Sequence, residues 1–221
     1  MLGVYDYTVI LTYLSVASAT YGIICAFTPH KAVVSACCLL ICGILDAFDG
    51  KVARTKKNRT EYERKFGIQI DSLSDVIAFG ILPACLGISI INQSETFAKF
   101  PSIIKEICLI INVFYALCGL IRLAHFNVTE DERQKSESGV REYYSGVPIT
   151  AAVFVFPFLV FLQFALSFDF ALIYVFFIIL LGFLFIAEIK IKKLNLKQIL
   201  VFIGIGVAVA VTLLCIFMLR K

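Results

Sequence analysis

Charge is scarce in this sequence. Of 221 residues only 16% are Asp, Glu, Lys or Arg, while 60% are hydrophobic and the mean hydropathy is +0.93. A water-soluble domain carries about 25% charged and about 45–50% apolar residues, so an ordinary soluble fold is excluded. Histidine is nearly missing too: there are two, neither beside a cysteine, and the eight cysteines form no CxxC pair. Zinc-site spacing and a disulfide framework are thereby set aside, and the cysteines read as small apolar residues inside apolar runs. No fixed-period repeat or low-complexity tract occurs. The net charge of +4 is too modest and too spread out to argue for nucleic acid, though it suits anionic lipid headgroups. The first apolar run has no basic n-region and no small-residue cleavage site, and is expected to be a retained helix rather than a signal peptide.

What the sequence does have is apolar length. Runs able to cross a hydrocarbon core, about 20 residues each, fall near 7–27, 32–53, 68–91, 103–125, 147–166, 168–189 and 198–219. The expected fold is all-α, a polytopic transmembrane helical bundle forming one integral membrane domain over 1–221, because the intervening polar segments are too short for a second. Seven basic residues lie in the 2–3 connection, four in and around the 4–5 connection and four in the 6–7 connection, fifteen of the twenty in all. The positive-inside rule makes that side, and the N-terminus, cytoplasmic. A seventh span would put Arg220 and Lys221 on the other side. The segment 127–145 mixes charges of both signs and reads as a solvated loop or a short surface helix.

Against this background stand four aspartates in "LDAFDGKVARTKKNRTEYERKFGIQIDSLSDVIAFG" (45–80). On helices Asp46 and Asp49 are i, i+3 and Asp71 and Asp75 are i, i+4, so each pair shares one face. Asp46 precedes Arg54 by about 12 Å of helical rise, which sets the acids near the cytoplasmic surface. An ionised carboxylate in a bilayer is costly unless paired or bound to metal. All-oxygen ligands with no His or Cys nearby favour Mg²⁺, Mn²⁺ or Ca²⁺ over zinc. Simple pairing with Lys51, Arg54 or Arg64 would not require the doubled spacing. Gly50, Ala53 and Gly67 leave room against the helices, and with Arg54 they read as a pocket for a phosphate-bearing ligand.

"DAFDGKVAR", twelve residues, then "GIQIDSLSD" resembles the D-x-x-D-G-x-x-A-R…G-x-x-x-D-x-x-x-D signature of the CDP-alcohol phosphotransferases. The gap between Arg54 and Gly67 exceeds the family's usual spacing by about one helical turn. The resemblance implies a six-helix core, here with a seventh C-terminal helix, and two divalent cations, Mg²⁺ or Mn²⁺, held by Asp46, Asp49, Asp71 and Asp75. It makes Asp75 the general base and assigns CDP-diacylglycerol to Asp49, Gly50, Ala53, Arg54 and Gly67. Ser15, standing where the family's first helix often has Asn, is a further donor contact. It also implies a homodimer.

Within the family, "DSLSDVIAFGILPA", "CGLIRLAHFNV" and "SGVPITAA" resemble phosphatidylserine synthases, with His125 in place of a usual arginine. The implied acceptor is L-serine, and the implied setting the cell membrane with the site facing the cytoplasm. Arg122 is the candidate for the serine carboxylate because a guanidinium fork matches it; its other reading is a headgroup anchor. Lys135 and Arg141 are possible second contacts. Glycerol 3-phosphate or inositol phosphate acceptors, or archaetidylserine synthesis, are the alternatives inside the family. A cation or organic-acid transporter is the alternative outside it, but transporters set such acids at the midplane between repeated, broken helices.

Overall fold

The computed structural model describes residues 2–136, 143–166 and 168–192, together with Gly204. Six of the seven expected runs fall on helices: α1 (Ile10–Ala26), α2 (Ala32–Thr55), α3 (Glu61–Gln93), α4 (Ser102–Ser136), α5 (Ile149–Leu166) and α6 (Ala171–Ile186). The seventh run, Gly204 apart, lies outside the described residues. α2, α3, α4 and α5 are long and apolar enough to cross a membrane, and α1 and α6 are shorter apolar helices; the chain is an integral membrane protein with a helical bundle fold. A two-stranded antiparallel ribbon, β1 (Tyr143–Ser145) and β2 (Lys190–Lys192), joins the segment before α5 to the segment after α6, with Tyr144 opposite Ile191.

Two helices run further than their apolar stretches. α3 begins at Glu61, not near 68, because Thr60 and Glu63 form a reciprocal capping box: the Thr60 hydroxyl accepts from the Glu63 N–H and the Glu63 carboxylate from the Thr60 N–H. The connection from α2 is thus reduced to Lys56–Thr60. The residues in excess of the usual motif spacing are absorbed mainly into this added helix. α4 likewise continues through the polar segment to Ser136, supported by the Arg133–Glu130 pair at 2.6 Å, so the first part of 127–145 is neither loop nor separate helix.

α3 is the axis of the bundle, touching α1, α2, α4 and α6. Of its most apolar window 67% is buried inside the protein, against 28% for α2. Its course changes to a π-helical turn over Val76–Ile81, immediately after Asp75. Pro83 has no N–H to offer the Phe79 carbonyl one turn earlier. The Tyr115 hydroxyl donates to that oxygen at 2.8 Å, and the Tyr174 hydroxyl donates to the Pro83 carbonyl at 2.8 Å. In hydrocarbon an unpaired carbonyl is costly, so the Tyr115 bond stands in for the donor that Phe79 lacks, and the two buried tyrosines together pin α4 and α6 to α3.

Helices in lipid gain little from apolar burial against one another, and close packing does the work instead. At Gly43 an added Cβ would lie 2.7 Å from a Val153 methyl carbon, which is how α2 and α5 approach. At Gly87 it would collide with Asn112 Oδ1 and lie 2.8 Å from Tyr174 Cε1. Gly87→Ala should therefore force α3 away from α4 and α6, with an overpacking cost of about 1–3 kcal/mol. The expected result is a lower thermal midpoint in detergent. An unchanged midpoint would show that this contact yields freely.

Candidate metal centre and cavity

The spacing that puts Asp46 and Asp49 on one face of α2, and Asp71 on the facing side of α3, brings three carboxylates together. One oxygen from each lies within 4.8 Å of the others. Asp49 is buried, and Asp46 and Asp71 are partly so. Asp75 sits one turn further along α3, outside this triad, where the three other acids and the Arg122 guanidinium act on it electrostatically. Three convergent carboxylates with no nitrogen or sulfur donor are a ligand set for a hard divalent cation. The donor chemistry therefore fits the metal that the sequence motif implies.

Beside the triad opens a cavity of about 600 Å³, lined by Asp49, Gly50, Ala53, Arg54, Gly67 and Asp71 among the expected residues. Thr8, Val9, Thr12, Lys56, Lys57, Arg59, Arg64 and Ile68 complete the lining. Arginines lie on two of the cavity glycines. A Cβ on Gly50 would be 3.4 Å from Arg54 Nη1, and one on Gly67 would be 2.6 Å from Arg59 Nη2.

Ser15 is not part of this lining. It is buried on α1, where its carbonyl accepts from the Cys42 thiol, one turn of α2 beyond Asp46. Thr8 and Thr12 precede it at i, i+4, i+7 spacing; this hydroxyl stripe was visible in the sequence, but only its two members nearer the basic end reach the cavity. The segment before α1 is tied down beside it. Lys56 Nζ pairs with Asp6 at 2.7 Å and with Glu63 at 2.8 Å, and the Tyr13 hydroxyl donates to the Val4 carbonyl. The hydrogen bonds from Lys56 and Thr8 lower the Asp6 carboxyl to about 2. A carboxyl held below its ordinary value contributes stability above about pH 4 and loses it only as pH falls towards 2, so the tie is intact at neutral pH.

Arg122 is buried rather than extended to the surface. Its Nε donates to the Val147 carbonyl at 2.5 Å and its guanidinium lies 5.7 Å from the Phe126 ring centre. Val147 is itself fixed by an N–H bond to the Leu184 carbonyl, and Gly146 by one to Ile189. Gly146 has φ +77, and a Cβ there would meet the Phe185 carbonyl at 2.9 Å, so only glycine suits this crossing. Asn127, which sequence reasoning left without a role, donates to the Ser72 hydroxyl at 2.8 Å and ties α4 to α3 beside Asp71. His125 is exposed. Arg141 and the Lys135 side chain lie outside the described residues.

A membrane-embedded helical bundle with a carboxylate cluster and a cationic cavity at one end defines a class: intramembrane enzymes that handle a phosphorylated substrate with divalent metal. The profile of the CDP-alcohol phosphatidyltransferase family matches residues 8–186, and the chain belongs to that family. It is similar to a CDP-diacylglycerol–serine O-phosphatidyltransferase of Saccharomyces cerevisiae, 34% identical over 122 residues, which is 55% of this chain and 39% of that protein. A Helicobacter pylori protein of the same name is 33% identical over 120 residues, 54% of this chain and 43% of the relative. The archaetidylserine synthase of Methanothermobacter thermautotrophicus is 32% identical over 141 residues, 63% and 52% of the two chains. The chain spans about two fifths to one half of the length of these relatives.

Asp71→Ala and Asp49→Ala should each weaken Mn²⁺ binding at least tenfold, since each removes a charged ligand from a three-carboxylate set. Calorimetric titration of the purified protein with Mn²⁺ checks this. Retained wild-type affinity in both would separate the cluster from metal.

Proposed function

We propose that this chain transfers the phosphatidyl group of CDP-diacylglycerol to the hydroxyl of L-serine, giving phosphatidylserine and CMP. The observation that carries the proposal is the meeting of Asp46, Asp49 and Asp71 at the edge of a cavity lined by arginines and lysines. The names borne by the similar proteins support the choice of alcohol. In the bond changes, the serine oxygen bonds to the phosphatidyl phosphorus, the bond from phosphorus to the CMP oxygen breaks, and the electron pair leaves with CMP.

Two divalent cations, Mg²⁺ or Mn²⁺, would be held by Asp46, Asp49, Asp71 and Asp75, and would supply charge neutralisation on the diphosphate and the leaving phosphate. The protein's own residues do the rest. Arg54, lying on Gly50, takes a phosphate oxygen, while Gly50, Ala53 and Gly67 leave the helix surfaces low enough for the diphosphate to lie on them. Ser15 is one turn too deep to be favoured as a donor contact, and the cavity-lining Thr8 and Thr12 are better candidates. Asp75 accepts the serine hydroxyl proton as attack proceeds. Arg122, which acts on Asp75 electrostatically and is anchored by Nε on the Val147 carbonyl, holds the serine carboxylate with its guanidinium fork. Lys135 and Arg141 stay as second contacts. The membrane is the cell membrane, with residues 46–75 towards the cytoplasm, and the working unit is a homodimer of one-domain chains.

One second reading has its own support. The archaetidylserine synthase is as similar to this chain as the yeast and Helicobacter proteins are, and its name points to the same acceptor on a different lipid. Offering ester- and ether-linked CDP donors, each with serine, glycerol 3-phosphate, inositol or inositol phosphate, tests both readings through CMP release. Release that needs serine and a divalent metal supports the proposal; release with another acceptor alone replaces it.

Asp75→Asn should lower kcat by about 10²–10⁴-fold, the usual contribution of a positioned general base, with donor binding retained. Wild-type turnover in this variant would remove Asp75 as base. Arg122→Lys should cost about ten- to a hundredfold in kcat/KM for serine, the scale of a charge-assisted hydrogen bond, and leave the KM for donor unchanged. Equal loss towards both substrates would make Arg122 a support for the Val147 segment instead.

A further inference from the structure

The longer connection between Arg54 and Gly67 brings an additional cation into the cavity. Arg59 belongs to the Lys56–Thr60 link, yet its guanidinium does not reach outward as a surface arginine does. It folds back over Gly67, whose missing side chain makes the space: a Cβ there would lie 2.6 Å from Nη2. Gly67 is one turn before Asp71, so the guanidinium stands about 6 Å along α3 from the metal triad.

Its hydrogen bonding is sparse for a half-buried cation. Nη1 donates to the Ala53 carbonyl at 3.4 Å and Nη2 to the Glu63 carbonyl at 3.2 Å, both at the long end of the range. Nε is buried without a hydrogen-bond partner, and among the described residues no carboxylate pairs with Arg59. The neighbouring Lys56, by contrast, is met by both Asp6 and Glu63. A guanidinium partly withdrawn from water with so little compensation suits an anionic ligand, and the cavity that it lines is also lined by Asp49 and Asp71 of the triad.

We propose that Arg59 is a donor-binding residue that grips the diphosphate of the CDP-linked substrate from the side opposite the metal triad. This rests on the donor assigned under the proposed function, though not on serine as acceptor. The fork geometry of a guanidinium suits two oxygens of one phosphate. The carbonyl contacts to Ala53 and Glu63 are then what holds the arginine over Gly67 until the donor arrives.

The test uses full-length protein in detergent and CDP with Mn²⁺ as the probe. Arg59→Ala should weaken CDP binding about ten- to a hundredfold, and Arg59→Lys less, because the charge remains while the fork is lost. Lys65→Ala, which removes an equal charge from an exposed residue paired with Glu61, should bind CDP as the wild type does. In turnover, Arg59→Ala should raise the KM for CDP-diacylglycerol and leave the KM for serine unchanged. If Arg59 only staples the end of α2 to the start of α3, both variants lose thermal stability with unaltered CDP affinity, and the proposal fails. It fails equally if Lys65→Ala weakens binding as much. Should Arg59→Ala not fold, Arg59→Lys decides: wild-type affinity there overturns the fork. No CDP binding by the wild type would overturn this proposal and the donor together. Wild-type CDP binding that Arg59→Ala weakens, with no serine-dependent turnover, would overturn only the acceptor.

Discussion

Three carboxylates held within 4.8 Å of one another form the constraint on which the rest of the structure depends. Two unit charges at that distance, in an effective dielectric of about 20, repel by about 3.5 kcal/mol. Three such pairs approach the whole net stability of a domain, about 5–15 kcal/mol. Protons or a cation in its midst relieve that repulsion, and in either case α2 and α3 must be held together firmly enough to present the cluster. Packing supplies that firmness from outside the cluster. Gly43 lets α5 close on the back of α2, Gly87 lets Asn112 and Tyr174 close on α3, and Tyr115 and Tyr174 take the two carbonyls around Pro83.

The acid pairs were legible because helical spacing is a local property: i, i+3 and i, i+4 determine a shared face whatever surrounds it. The same holds for the six apolar runs, whose lengths follow from the thickness of a bilayer. Helix ends were less legible. The start of α3 at Glu61 depends on a cap read from Thr60 and Glu63, a signal present in the sequence but masked by the emphasis on apolar content. The course of α4 to Ser136 rests on side-chain pairing such as Arg133 with Glu130, which average polarity obscures.

Placement of single side chains around the site was the least legible part. Ser15 and Thr12 lie on one stripe of α1, yet only Thr12 reaches the cavity, because that depends on how far α1 is displaced along α2. Arg122 was open to two readings, a ligand for an acid or an anchor in the headgroups. Its burial and its bond to Val147 depend on the chain returning through Gly146 against the end of α6, a contact between distant parts of the sequence. Arg59 looked like one more basic residue in a basic link. Nothing local says that Gly67 would receive it.

Among the charged residues that line the cavity, acids and cations are set apart by depth, and that sorting has a chemical reason. The acids come from helix interiors of α2 and α3, whereas Lys56, Lys57 and Arg59 come from the link between them and Arg54 and Arg64 from the adjoining helix ends. If acids and cations were interleaved they would neutralise one another as ion pairs, and neither would be left for a ligand. Set apart by about one helical turn, they face a space in which, on the proposed function, a diphosphate would meet metal on its inner side and guanidinium on its outer side. The basic link is therefore more than a polar connection between two helices. Arg59 folds back from it onto Gly67, so residues that read as a positive flank in the sequence form one wall of the cavity.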